Sequence, residues 1–137
     1  MYCTQADLVE AYGEQDIRLL SDRVNKPPIA IDAVVVARAI SDAVGEIDLH
    51  LDARYPLPLA NVPTTIKRIC CTLAYRNLHT RIGDDSPAEL AAKRQRELLR
   101  GIARGELSLG VDTAGAPVPT NDTVQVSPGR NDWADRY

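Results

Sequence analysis

The chain has 137 residues and a net charge of −3; 45% of its residues are hydrophobic, 4% are aromatic, and phenylalanine is absent. That length suits one domain with an aliphatic core, and no apolar run reaches the roughly 18–20 residues that span a bilayer. Cys3, Cys70 and Cys71 cannot make a disulfide framework and suit a reducing cytoplasm, and the start MYCTQADL lacks the basic and apolar regions of a secretory signal.

Thr4 opens a first helix, with Asp7 three residues on as the capping-box acid. Leu8, Val9 and Tyr12 give it an apolar side, and Gly13 is placed to end it. A second short helix, Glu14–Leu20, carries Ile17, Leu19 and Leu20. Ser21–Ala30 reads as a loop, broken by Asn25 and the Pro27-Pro28 pair.

Asp32–Arg54 is the central packing element. Val36, Ile40, Val44, Ile47 and Leu51 recur at helical spacing as one apolar stripe. Ala33, Ala37 and Ala43 border the stripe, so a neighbouring helix can come close. Asp32 is placed as N-cap, and Pro56 and Pro58 forbid continuation beyond Tyr55. Asp42, Glu46, Asp48 and Asp52 lie largely off the stripe and make its solvent side acidic.

Tyr55–Pro63 is an extended link in which Leu57, Leu59 and Val62 alternate with prolines. The alternation favours a strap tucked against the core over a ligand for a proline-binding module. Pro63 or Thr64 opens the next helix, expected to run to about Arg81 with Ile66, Ile69, Cys70, Leu73, Asn77 and Leu78 inward. After a turn at Gly83-Asp84-Asp85, Ser86 caps and Pro87 starts the last helix, Pro87–Arg104. Leu90, Leu98, Leu99 and Ile102 are its expected anchors, and Gly105 closes it. Lys93, Arg94, Arg96, Arg100 and Arg104 make it basic, with Glu89–Lys93 and Glu97–Arg104 as partial offsets.

The expected fold is mainly α: a small domain of about five helices over residues 1–105, followed by an extended, partly β tail over 106–137. In the tail, Leu107, Leu109 and Val111 alternate like a short strand, as does Thr123–Val126. Trp133 and Tyr137 are apolar anchors in otherwise polar sequence. Docking onto a partner and folding back on the same subunit both stay open for this segment.

Charge is segregated. Residues 1–62 hold ten acids and five bases, residues 63–104 four and nine, and residues 105–137 five and two. Opposite faces of neighbouring copies could meet through this asymmetry, although for charge alone solvated helix faces are the favoured account.

No catalytic signature survives inspection. The glycines at 101, 105 and 110 follow a helix rather than opening one, so there is no phosphate loop. His50 and His79 are isolated, and the Asp48–Asp52 pair lacks the company that metal ligation needs. The expectation is therefore no enzyme, no cofactor and no metal, with the cysteines structural. The alternative is a small helical nucleic-acid-binding regulator using the basic last helix, against which stand the negative total charge and the lack of interleaved aromatics.

Three stretches sharpen this reading: MYCTQADLVEAYGEQDIRLLSD, AISDAVGEIDLHLDARYPLPLANVPTTIKRI and IARGELSLG. The most specific pieces are EID..L..RYPLPL..VP..I and ARGE.SLG, in that order. Over roughly residues 2–111 the chain resembles the Mu-like prophage family of head–tail connector (neck, adaptor) proteins encoded among phage head genes. It departs from the family pattern at Cys71-Thr72, where a more polar residue is usual.

The resemblance implies a helical connector subunit of the virion neck, made in the bacterial cytoplasm. Such subunits form a ring, commonly twelvefold, between the portal and a tail-terminator or other neck protein. DNA passes through the centre without specific binding, and no membrane is involved. No catalytic residue carries over. The candidate interface residues are Lys93, Arg94, Arg96, Arg100, Arg104, Arg130, Trp133 and Tyr137; the candidate channel lining is Asp42, Glu46 and Asp48.

Overall fold

The computed structural model describes residues 1–109, which form five helices: α1 (Gln5–Tyr12), α2 (Glu14–Ser21), α3 (Ala33–Leu51), α4 (Thr64–Leu78) and α5 (Pro87–Arg104). The fold is mainly α, as expected; α3 packs most extensively against α4, and α5 packs against both. The shorter α1 packs on α3 and α4, and α2 packs on α1 and α3.

Helix boundaries follow local chemistry. Thr4 and Asp7 form a reciprocal capping box at α1. Gly13 takes φ +90° between α1 and α2, a conformation side chains disfavour, so the chain turns there without a linker. Asp32 accepts from the Val34 and Val35 N–H groups at the start of α3. Ser86 caps α5, Pro87 occupies its first turn, and Gly105 ends it in the left-handed region at φ +83°.

The core joins Val36, Ile40, Ile47 and Leu51 of α3 to Ile66, Ile69, Leu73 and Leu78 of α4, with Leu99 and Ile102 from α5. Val44 is only partly buried. Of the alanines expected at the edge of the stripe, Ala43 is buried while Ala33 and Ala37 face outward; Ala39 takes the inner position instead. The strap holds as expected through Tyr55, Leu57 and Leu59, but Val62 is exposed. In α2, Ile17 is buried and Leu19 is exposed.

α4 stops at Leu78, short of the expected Arg81. Its inward side is broader than expected: Cys71, Thr72 and Ala74 join the buried set. Asn77 is partly buried and its side-chain amide donates to the Ala39 carbonyl on α3 at 3.2 Å, which satisfies a polar group beside the core.

Leu90 and Leu98 are not core anchors. They are 41% and 39% exposed, whereas Leu99, Ile102 and the small Ala92 face inward. Glu97 pairs with Arg100, three residues on, rather than with Arg104.

The loop before α3 is built on one carboxylate. Asp22 accepts from the backbone N–H groups of Val24, Asn25, Ile29 and Ala30 and from the Asn25 side chain. These donors, led by Ile29, hold its carboxyl well below the usual carboxylate range.

Leu107–Leu109 are not a strand. The Glu106 and Leu107 N–H groups both donate to the Gly101 carbonyl, and the Leu109 N–H donates to the Tyr55 hydroxyl at 3.2 Å. Leu107 folds across Gly101, where an added Cβ would lie 3.0 Å from the leucine methyl. Residues 106–109, assigned to the tail by sequence, thus lie against the helical body. Val111, Thr123–Val126, Arg130, Trp133 and Tyr137 fall outside the described residues.

Candidate functional site

Two outward helix faces carry the residues that the core does not use. The first belongs to α5. At about 100° per residue, Leu90, Lys93, Arg94, Glu97 and Arg104 share one sector, with Leu98 and Arg100 at its edges. All seven are exposed, and Ala92, Leu99 and Ile102 point the other way.

Arg96 lies apart from the other basic residues. Its Nε donates to Glu46 Oε1 of α3 at 2.6 Å, and its Nη1 stands 3.9 Å from Glu89 Oε1. Glu89 is itself 8% exposed and accepts from Arg76 of α4. The sequence pairing of Glu89 with Lys93 is therefore replaced by a cluster that ties α3, α4 and α5 together. The Arg76 guanidinium, before all other causes, holds the Glu89 carboxyl below its ordinary value.

Charge on the outer sector is correspondingly smaller than the sequence count. Arg100 is engaged by Glu97. Among the described residues, Lys93, Arg94 and Arg104 form no salt bridge and are exposed.

The second face belongs to α3. Glu46 and Asp48 are two residues apart, about 200° round the helix, and so occupy opposite flanks. Glu46 meets Arg96, while Asp48 accepts from the Tyr2 hydroxyl. Burial, and then that hydrogen bond to a carboxylate, push the Tyr2 phenol up. Only Asp42 of the candidate lining is fully outward. The structure does not bring the three carboxylates onto one surface.

Between those flanks α3 presents Val34, Arg38, Asp42, Gly45, Leu49 and Asp52. Val34 is 77% exposed and Leu49 79%, and a Cβ on Gly45 would meet nothing within 4 Å. Sequence reading missed this patch because it followed the dominant stripe alone. Spacing Val34 and Leu49 round the same helical wheel would have placed both opposite Ile47.

The remaining chemical groups serve the fold. His50 Nδ1 donates to the Glu46 carbonyl and His79 Nδ1 to the Tyr75 carbonyl, each at 2.8 Å. No group of His, Cys, Asp and Glu among the described residues is arranged to hold a metal, and no described helix is long and apolar enough to cross a membrane. Cys3, far in sequence from the adjacent Cys70 and Cys71, meets them in the fold: its Sγ is 3.0 Å from Cys70 Sγ, and all three are buried. The Cys70 contact is the main reason that the Cys3 thiol is pushed up to about 12.

The sequence pattern described as Bacteriophage Mu, Gp36 matches residues 2–127, which takes in every helix and both faces. The chain belongs to the phage Mu Gp36 family. It is 33% identical over 129 residues to gene product J of Escherichia phage Mu, covering 91% of this chain and 88% of that protein. It is 26% identical over 134 residues to the Mu-like prophage FluMu protein gp36 of Haemophilus influenzae, covering 97% and 92% respectively. Gp36 membership thus takes in the basic α5 and the outward α3 alike, and makes this a protein of Mu-like phages.

Proposed function

We propose that this Gp36-family chain is a structural head–tail connector subunit, built into a ring at the virion neck between portal and tail, through which DNA passes. Family membership makes it a phage protein, and the connector resemblance of its sequence supplies the role. The observation that carries the ring is the pair of unlike outward faces. A closed ring of identical subunits joins one patch to a different patch on the next copy. The α5 face offers Lys93, Arg94 and Arg104 with half-exposed leucines; the α3 face offers Asp42 and Asp52 against the single cation Arg38, with Val34 and Leu49. Their net charges are opposite, and apolar residues are available on both.

Nucleic-acid regulation is less well supported than the sequence count suggested, because Arg96 and Arg100 already have carboxylate partners. Three remaining cations on one helix give a weak, strongly salt-dependent contact with phosphates at most.

Negative-stain microscopy of the purified protein with its cognate portal tests the proposal. Rings, or a new collar on the portal, are expected. Single subunits and unaltered portals at high protein concentration would refute it.

A further inference from the structure

We propose that Cys3 and Cys70 form a covalent modification site, closed into a disulfide by a low-molecular-weight organic disulfide. The inference is independent of the connector role and rests on how the N-terminal segment meets α4. The two sulfurs are 3.0 Å apart in the reduced protein, and a disulfide bond is about 2.05 Å long. Closure therefore needs an approach of only about 1 Å.

That approach falls on the segment best able to make it. Cys70 lies within α4, whereas Met1–Cys3 precede α1 and belong to no helix. Among the described residues this segment is held to the body by side chains, through Tyr2 to Asp48 and through Cys3 itself. A cleft of about 380 Å³ lies between α1 and α4, and Cys71, next in sequence to Cys70, lines it. Cys3 itself is 2% exposed, so a small linear disulfide reaches it when the N-terminal segment opens locally.

The chemistry balances without a further reagent. Cys3, as thiolate, attacks one sulfur of the reagent RS–SR; the S–S bond breaks, a mixed disulfide forms, and RS⁻ leaves to take up the proton Cys3 gave up. Cys70 thiolate then attacks the Cys3 sulfur and expels the second RS⁻, which is protonated in turn. Two protein thiols are oxidised and the reagent is reduced to two thiols. Burial and the raised Cys3 thiol make the reaction slow at neutral pH. The product staples the N-terminus to the middle of the core and closes a long loop containing α1, α2 and α3.

The test treats the full chain with bis(2-hydroxyethyl) disulfide in mildly alkaline buffer. A mass loss of about 2 Da without an adduct is expected, together with a rise in Tm of about 10 °C that a phosphine reductant reverses. Cys71→Ser should keep both effects, and Cys3→Ser and Cys70→Ser should lose them, with circular dichroism confirming that each variant is folded. A stable mixed-disulfide adduct with no loss of 2 Da would overturn the pairing. So would full closure in Cys70→Ser, or an unreacted wild-type protein after prolonged exposure.

Discussion

Replacing Ile47 by alanine removes three carbons from the middle of the α3–α4 contact, at a side chain with no solvent exposure. At about 0.8 kcal/mol per buried carbon, the transfer loss is about 2.4 kcal/mol. The cavity left among Ile40, Leu51 and the α4 core raises the cost, and buried isoleucine truncations fall at about 2–5 kcal/mol. Leu49 on the same helix is 79% exposed, so Leu49→Ala should change stability by less than about 0.5 kcal/mol. Urea denaturation followed by helical circular dichroism reads both. With a slope of about 1.5 kcal/mol/M, Ile47→Ala should lower the midpoint by about 2 M while Leu49→Ala leaves it in place. Equal shifts in the two variants, or a larger one for Leu49→Ala, would show that the inward face of α3 is wrongly assigned.

Glu89→Gln should be less stable than wild type at neutral pH. Because Arg76 holds the folded carboxyl below its ordinary value, its contribution is present above about 4.5 and is lost as pH falls through the depressed folded value. Urea midpoints of the two proteins should therefore converge in acid, and a gap that stays constant would remove Glu89 from the stabilising cluster. Gly105→Ala should lower Tm by about 4–8 °C, since its φ of +83° costs a side chain about 1 kcal/mol. The added Cβ would also displace the Arg54 guanidinium. Gly45→Ala, in an open helical position, should instead raise Tm; a thermal melt that reversed this order would contradict both backbone assignments.

Sequence made the helices legible where their signals were local. Asp32, Ser86, Pro87 and Gly105 act on backbone groups within a turn of themselves, so their positions could be read directly. Partners across the fold could not. Leu90, Leu98, Leu99 and Ile102 spread over about half of the α5 circumference, and only packing against α3 and α4 decides that the last two turn inward. Glu89 has a local cation at Lys93, yet its partner is Arg76, in the last turn of a different helix. Asp42, Glu46 and Asp48 look alike in sequence, but Arg96 and Tyr2 claim two of them from opposite sides. The role of Asp22 had a faint signal in the Asn25 and Pro27-Pro28 that follow it. The meeting of Cys3 with Cys70 had none.

The aromatic side chains divide the molecule into two optical reporters. Tyr12 stacks on Tyr75 with ring centroids 3.8 Å apart, Tyr75 meets His79 edge-on, and Tyr2 and Tyr55 are buried in the same body. The one tryptophan, Trp133, belongs to the sequence beyond Leu109. Four of the five tyrosines lie in the helical body and Tyr137 lies beyond it, so in a Tyr137→Phe chain tyrosine ellipticity answers for the body, while indole emission answers for position 133 alone. A titration of that chain with portal protein can thus be followed by two signals without a label, separating tightening of the bundle from contact made by its C-terminal sequence.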